Sequence, residues 1–373
     1  MNIPIQINKK NRIIFIDIMR AIAVLMMVEG HTVDTLLSDS LRSYDSSIYN
    51  FWNFVRGLTA PIFLFSAGTV FTYLFHLNKL PFSKNPRVKK GIKRFFILIS
   101  LGYLLRWPTP YLFYFKDISP TQWQIFFSVD ILHLIACGLL LIIGLSYIAE
   151  KFKIRPILIY FTMIFIVFSL YPLFLKIDWK AFLPIPIAGY MYQGTGSLFP
   201  LVPWIGYVLC GAILGTYLAN NPDVFKNTRF SINLFIIGLL LLALALIGDK
   251  LELFLFNESA FWTTSPNLVF FRLGIVLLLN SVVSFLAISI KNMPPLLIQV
   301  GRNSLPVYVV HLVILYGSPW SVGLSYFIGR GLDLWITVGV AVLMISSMVA
   351  MVQSFQVIKG YYRKRKLATE RIN

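Results

Sequence analysis

The sequence predicts an all-α, polytopic membrane protein of about ten transmembrane helices, with both the N- and C-termini in the cytoplasm. Of its 373 residues, 57% are hydrophobic and only 13% are charged, with a mean hydropathy of +0.75. A soluble domain of this size would need far more charge to cover its surface. The apolar residues also form segments long enough to cross a bilayer, and the basic residues collect in alternate loops.

Ten apolar segments make up the membrane part, and each is predicted to form one helix. We expect a single transmembrane domain over residues 13–357, between a cytoplasmic N-terminus (1–12) and a basic cytoplasmic tail (358–373). The ten segments lie near residues 13–37, 50–76, 93–108, 124–148, 156–175, 198–220, 231–248, 268–290, 303–319 and 333–357.

The formal net charge of +18 lies in short loops and does not indicate a nucleic-acid-binding surface. Of the 33 Lys and Arg residues, 23 lie before the first segment, after even-numbered segments or in the tail, while the alternate loops hold six. Cytoplasmic loops carry the excess of Lys and Arg in membrane proteins, so both termini are predicted to be cytoplasmic. The expected location is the bacterial cytoplasmic membrane.

The first segment is unusual because it carries Asp17, Arg20, Glu29, His31 and Asp34. Ionisable groups inside a span are costly and usually mark function. At 100° per residue, four of the five share one stripe, with His31 about 20° round the helix from Arg20 and three turns above it. Glu29 points the opposite way and is expected to pair with a neighbouring helix. The stripe is the leading candidate for a functional site.

Once the orientation of each segment is assigned, the depth in the membrane of the other polar residues can be compared with that of this stripe. Asp17 and Arg20 fall in the cytoplasmic third, whereas His31 and Asp34 lie near the outer face. The further residues predicted at middle or outer depth are Arg56, Asp130, His133, Arg272 and His311, and Ser304 and Tyr308 share one stripe of the ninth segment with His311. Such a cluster is stable in lipid only if its members pair or line a wet cavity.

Several of the charged residues also have a structural alternative. Asp17 and Arg20 could form an ion pair within one helix, and Asp130 with His133 could brace two helices. Three arginines could instead extend to the outer headgroups, namely Arg56, Arg106 and Arg272.

The residue types favour acid–base chemistry on an anionic substrate. The sequence has no nucleotide-binding glycine loop, no metal-ligand spacing and no nucleophilic serine elbow. Cys137 and Cys210 both fall in apolar segments, so neither a disulfide nor a metal site is expected. A His oriented by an Asp is a general base for a hydroxyl or amine, and arginines bind anions. The residues alone are compatible both with group transfer across the membrane and with proton-coupled transport.

The first and ninth segments resemble the transmembrane acyltransferase superfamily. RIIFIDIMRAIAVLMMVEGHTVD (12–34) looks like its opening helix, with the Arg, ten residues, then His of the acyltransferase-3 family at Arg20 and His31. VGRNSLPVYVVHLVIL (300–315) is similar to its closing motif, which carries Ser304, Tyr308 and His311.

Two further segments resemble one family of that superfamily, the catalytic domain of heparan-α-glucosaminide N-acetyltransferase. Its second helix is similar to NFWNFVRGLTAPIFLFSAGTVFTYL (50–74). A loop and helix of the same family resemble SLFPLVPWIGYVLCGAILG (197–215). The animal enzyme of this family uses a His near the start of its second helix. No His occurs between Thr32 and Phe75 here, which leaves His31 as the matching base.

The resemblance implies an acyl-CoA-dependent acyltransferase that moves an acyl group, usually acetyl, from cytosolic acyl-CoA to a saccharide hydroxyl or amine at the outer face. Acetyl-CoA would be a co-substrate, with no permanently bound cofactor. The expected partners are the bilayer, acyl-CoA and an extracytoplasmic glycan or small-molecule acceptor, with a homodimer left open. With the depth assignments, the expected catalytic residues are His31, Asp34, His133 and His311, and the expected donor-binding residues are Arg20, Arg56, Arg272, Asp130 and Tyr308.

Two other function classes compete with this interpretation. A proton-coupled transporter of a polar or anionic solute would use similar residues without acyl-CoA. A non-catalytic scaffold poorly explains so many ionisable groups within the spans.

Overall fold

The computed structural model describes residues 13–111, 113–290 and 292–369, with side chains described as far as Tyr362. The predicted cytoplasmic N-terminus (1–12) lies outside these residues, as does the end of the predicted tail. In chain order the elements are α1 (Ile14–Leu36), α2 (Ser47–Arg56), α3 (Thr59–His76), α4 (Pro86–Leu105), α5 (Pro120–Phe127), α6 (Ile131–Lys151), α7 (Pro156–Lys176), α8 (Ile185–Met191), α9 (Leu201–Asn220), α10 (Thr228–Phe256), α11 (Pro266–Ser289), α12 (Pro295–Arg302), α13 (Ser304–Tyr316), β1 (Gly317–Ser318), β2 (Ser321–Val322), α14 (Leu324–Ile328) and α15 (Leu334–Thr369).

The all-α membrane fold is confirmed. Seven helices of the described chain are long and apolar enough to cross a membrane, or up to eight if α12 and α13, which are bent by 73°, form one broken span. Helices α1 and α4 are also long but carry several charged residues. Every predicted segment overlaps a helix, but the count of ten and the cytoplasmic termini remain predictions.

Several helix boundaries differ from the predicted ones. The segment predicted at 124–148 is broken, because α5 ends at Phe127 and α6 begins only after Asp130. The segment predicted at 93–108 begins earlier, at Pro86, and includes the basic residues before it. At the end of the chain, α15 continues to Thr369, so the described part of the predicted tail is helical. Amphipathic turns at helix ends carry charged residues. Hydropathy alone therefore underestimates the length of these helices.

Helix starts follow the usual N-terminal signals. The Asn85 side chain accepts a hydrogen bond from the backbone of Arg87, just before Pro86 opens α4. Ser119 forms a reciprocal capping box with Gln122 at the start of α5. These side chains satisfy backbone N–H groups that have no partner inside the helix.

The described residues form two compact units, a larger one (residues 13–16, 60–111 and 113–290) and a smaller one (residues 17–59 and 292–369). In the larger unit, α3 and α9 cross at very short distance. A Cβ at Gly68 would lie 2.0 Å from the carbonyl oxygen of Val208, and one at Gly211 would lie 2.0 Å from that of Phe65. Small residues allow such backbone approach between membrane helices.

The smaller unit packs around α1 from Asp17 onward. Val33 and Leu37 form a buried cluster with Ala341 of α15, covered by Tyr49 and Trp52 of α2. The backbone of Leu332 both donates to Leu36 (3.0 Å) and accepts from Ser38 (2.9 Å), which fixes the chain before α15 to the end of α1. A short hairpin, β1 paired antiparallel with β2, follows α13.

Candidate active site

The smaller unit brings the first part of α1 against α12 and α13. Gly301, in α12, lies directly on the α1 backbone, because a Cβ there would be 1.8 Å from the carbonyl oxygen of Asp17. This close crossing places the Arg20 guanidinium next to α13, where its Nη2 donates to the buried Ser304 Oγ at 2.7 Å. Arg20 and Ser304 come from the two motifs at opposite ends of the sequence, and the structure joins them.

One end of α13 is next to Arg20, and its other end is next to His31. His31 Nδ1 lies 3.1 Å from the hydroxyl of Tyr316, the last residue of α13. The imidazole of His31 also lies near that of His311, with ring centroids 5.5 Å apart. Because Arg20 meets the first residue of α13 and His31 meets the last, the two helices run in parallel through this region.

The hydrogen bonds constrain the proton positions on the two histidines. His311 Nδ1 lies 2.8 Å from the carbonyl oxygen of Val307. A carbonyl only accepts, so Nδ1 donates and the neutral ring carries its lone pair on Nε2. Tyr316 can either donate to His31 Nδ1 or accept from it. Tyr308 contacts His311 edge-on, with ring centroids 5.5 Å apart, and so packs against the second imidazole.

Asp34 lies between two arginines of the smaller unit. Its carboxylate pairs with Arg56 Nη2 at 2.9 Å and with Arg42 Nη1 at 3.2 Å. Arg42 also donates to the carbonyl oxygens of Asp34 (2.6 Å) and Leu37 (3.0 Å), which satisfies acceptors of the last turn of α1. The Asp34 carboxylate therefore orients arginines, whereas His31 Nδ1 is positioned by the Tyr316 hydroxyl.

The predicted pairing of Glu29 with a neighbouring helix is confirmed. Trp52 Nε1 donates to Glu29 Oε1 at 2.8 Å, which pairs α1 with α2. The Arg56 guanidinium lies 5.5 Å from the centre of the same Trp52 ring, a distance at which cation–π attraction operates.

In the larger unit, Asp130 and His133 form the N-terminal cap of α6. The Asp130 side chain caps the helix and its backbone N–H donates to His133 Nδ1 at 3.1 Å. Arg106, at the end of α4, pairs with Asp130 at 3.4 Å and also bonds the Ser128 hydroxyl. The three-residue spacing of Asp130 and His133 thus serves a reciprocal cap, which is a structural role for the pair.

His133 is enclosed by aromatic residues. Its ring lies on Gly102, where a Cβ would be 2.5 Å from it, and its centroid is 4.5 Å from that of Tyr103. Tyr103 in turn shares a hydrogen bond with Tyr190 at 3.1 Å. Burial, followed by this hydrogen bond, raises the pKa of Tyr190, so its hydroxyl stays neutral. Since His133 Nδ1 accepts from a backbone N–H, the proton of the neutral ring is on Nε2.

Arg272, in α11 of the larger unit, contacts an aromatic residue of α9. Its guanidinium carbon lies 5.9 Å from the centre of the Trp204 ring, which suits a cation–π contact. Among the described residues, no group of three or more His, Cys, Asp and Glu is arranged to hold a metal ion.

The cap geometry predicts different outcomes for two substitutions of Asp130. Asp130→Ala removes both the cap and the Arg106 partner, and is expected to lower the free energy of unfolding by about 2 kcal/mol. Asp130→Asn keeps an equally good cap and should retain at least half of that stability. Thermal unfolding of the purified variants measures the difference. Equal destabilisation by both variants would show that the cap contributes little.

A comparison with protein families then identifies the chain. Residues 12–258 match the model of the family "Heparan-alpha-glucosaminide N-acetyltransferase, catalytic". The chain belongs to this family. It is therefore an integral membrane protein of an acetyltransferase family, which confirms the resemblance of the second segment and the 197–215 segment.

The match to the heparan-α-glucosaminide N-acetyltransferase family covers only part of the candidate site. It includes the α1 stripe with Arg56, Asp130 and His133, whereas Arg272, Tyr308 and His311 lie beyond residue 258. Neither the curated proteins nor the solved structures provide a match to this chain.

Tyr316 and Arg42 are the contacting residues that sequence reasoning missed. Tyr316 is five positions beyond His311 and so falls off the polar stripe of α13. In the sequence Arg42 is only one of the loop charges. Its position eight residues after Asp34 gives no periodic signal, because the chain has already left the helix.

Proposed function

We propose that this member of the heparan-α-glucosaminide N-acetyltransferase family transfers an acetyl group from cytosolic acetyl-CoA to a hydroxyl or amine of a saccharide at the outer face. The observation that supports it best is the parallel pairing of α1 with α13. This pairing carries Arg20 and Ser304 at one end, and His31, Tyr316 and His311 at the other. Arg20 and His31 are about 16 Å apart along the axis, which suits an extended donor.

In the proposed reaction, His31 acts as the general base. Its Nε2 takes the proton of the acceptor as the acceptor oxygen or nitrogen attacks the thioester carbonyl. The new acyl–oxygen or acyl–nitrogen bond forms, the carbon–sulfur bond breaks, and CoA leaves with a proton. For Nε2 to be the base, Nδ1 must donate to the Tyr316 hydroxyl, and the 3.1 Å separation is compatible with this.

The remaining candidate residues have supporting roles in this proposal. Arg20 binds the donor side through charge-assisted hydrogen bonds, and the basic cytoplasmic loops attract the CoA phosphates. Asp34 holds Arg56 in place near the acceptor. His311, with its Nε2 lone pair, accepts a proton from the acceptor region, and Tyr308 positions its ring. His133, Asp130 and Arg272 belong to the larger unit and stay candidates from the depth assignments of the sequence, and the protein is proposed to act in the bacterial cytoplasmic membrane.

The proposal is tested by incubating purified protein in nanodiscs with radiolabelled acetyl-CoA and a panel of saccharides. We expect release of CoA together with a labelled saccharide. A proton-coupled transporter would instead move solute into proteoliposomes in response to a pH gradient, without CoA release. Solute flux without labelled product for any acceptor would overturn the enzyme proposal.

A further inference from the structure

The hairpin that follows α13 borders an open cavity of about 530 Å³ in the smaller unit. This volume falls in the usual range for small-molecule sites. Three aromatic residues and three serines line it together with other residues of the same stretch: Tyr316, Trp320, Tyr326, Ser318, Ser321 and Ser325. Trp320 is 52% exposed and Tyr326 is 79% exposed, so both rings are accessible to a ligand.

The cavity is tied to the candidate base. Tyr316 lines the cavity and its hydroxyl also lies 3.1 Å from His31 Nδ1. The end of the same loop is hydrogen-bonded to the end of α1 through the backbone of Leu332. Arg330 adds an ion pair with Asp39 at 3.3 Å. The cavity and His31 therefore share Tyr316 as a neighbour, and the segment that forms the cavity is anchored on the same helix as His31.

The serines supply hydrogen-bonding groups of the right kind for hydroxyls. Ser318 Oγ and Ser321 Oγ lie 2.8 Å apart, and the Trp320 backbone N–H donates to Ser318 Oγ at 3.2 Å. The bond between the two hydroxyls uses one of their two hydrogens, so the pair can donate the other and accept further bonds. Gly317 makes the tight turn into the hairpin feasible, with φ +83° and no space for a Cβ beside the Ser321 carbonyl.

The residues that line the cavity limit the chemical class of ligand that it can bind. Among the described residues that border the cavity, none is charged. A phosphate, a sulfate or the nucleotide end of CoA would find no cation there. Aromatic faces beside hydroxyls instead suit a ring that has apolar C–H faces and a polar edge, which is the chemistry of a sugar.

We propose that this cavity is the acceptor subsite, and that it binds a sugar ring without phosphate or sulfate, stacked on Trp320 and hydrogen-bonded by Ser318 and Ser321. This inference rests on the proposed acetyl transfer and adds the place and chemical class of the acceptor. The stacked ring presents its reactive hydroxyl or amine to His31, past Tyr316. Specificity for the acceptor thus comes from the hairpin, beyond the part of the chain that matches the family.

The test compares acceptor kinetics of Trp320→Ala, Trp320→Tyr and Trp335→Ala in nanodiscs, with the saccharide that the wild type acetylates best. We expect Trp320→Ala to raise the KM for the saccharide about tenfold or more, with kcat within about twofold. Trp320→Tyr should restore most of the affinity. Trp335, which is 80% exposed on α15 of the same unit, is the matched control, and Trp335→Ala should leave KM unchanged.

A second measurement separates failure of the subsite from failure of the proposed function. Binding of cellobiose, lactose and chitobiose is followed by tryptophan fluorescence of the wild type and of Trp320→Ala, without acetyl-CoA. Acetyl transfer with an unchanged KM in Trp320→Ala would overturn the subsite and leave the transferase intact. Binding lost in Trp320→Ala, without transfer by the wild type, would support the sugar site and overturn the transferase. Neither transfer nor sugar binding would overturn both.

Discussion

Replacing His31 by alanine is expected to lower the rate of acetyl transfer by about 10²- to 10⁴-fold, the usual contribution of a general base. The imidazole is half-buried between Tyr316 and His311, and His31 is the proposed base for the attacking hydroxyl or amine. The loss should appear in kcat, while the KM for acetyl-CoA changes little, because the donor is bound near Arg20. Release of CoA from radiolabelled acetyl-CoA measures the effect.

Two further variants distinguish loss of the base from a general defect. Tyr316→Phe removes the hydroxyl that is 3.1 Å from His31 Nδ1, so it should reduce kcat by a smaller factor, about tenfold. His76→Ala is the matched control, since it removes an imidazole at the end of α3, and should leave the rate unchanged. Full turnover by a folded His31→Ala variant would assign the base elsewhere, and loss in His133→Ala alone would then indicate the larger unit.

Replacing Gly301 by alanine is expected to have the largest effect on stability. The added Cβ would lie 1.8 Å from the carbonyl oxygen of Asp17 and 2.8 Å from its carbon. Both are backbone atoms, so α12 must move away from α1 as a whole. The expected cost is about 3 kcal/mol or more, and the Arg20–Ser304 hydrogen bond is lost with the crossing. Thermal unfolding and CoA release of the same preparation measure the two consequences.

Gly339→Ala is the matched control for this substitution. Gly339 lies in α15 of the same unit, and a Cβ there would have no neighbour within 4 Å. Alanine is favoured over glycine in a helix by about 1 kcal/mol, so the control should be neutral or slightly more stable. An unchanged unfolding temperature for Gly301→Ala would contradict the close crossing of α1 and α12.

The sequence was sufficient to predict the membrane fold and the polar face of α1. Hydropathy and periodicity operate over whole helices, and both are strong here. The pairing of Glu29 with a neighbouring helix was also predictable, because at 100° per residue Glu29 lies off the stripe. The roles of the candidate residues in the reaction remain predictions.

Local contacts were less predictable. Asp130 and His133 looked like two residues on one helical face, since a capping box has the same three-residue spacing as an interacting pair. The hairpin and Tyr316 gave no signal, because a turn of Pro319 and Trp320 between serines has no amphipathic period. The pairing of Arg20 with Ser304 depends on the close backbone crossing of α1 and α12. In the sequence, Gly301 is the only sign of this crossing.

The separation of Arg20 and Ser304 along the chain has a consequence for biogenesis. The two residues are 284 positions apart, and synthesis at about 5–20 residues per second makes the ribosome add the second roughly 14–57 s after the first. During that interval α1 must be retained at the membrane with its charged residues lacking their C-terminal contacts. A chain truncated before residue 292 never acquires α12 or α13, so quality-control proteases should distinguish it from the complete protein by the exposed charges of its first helix.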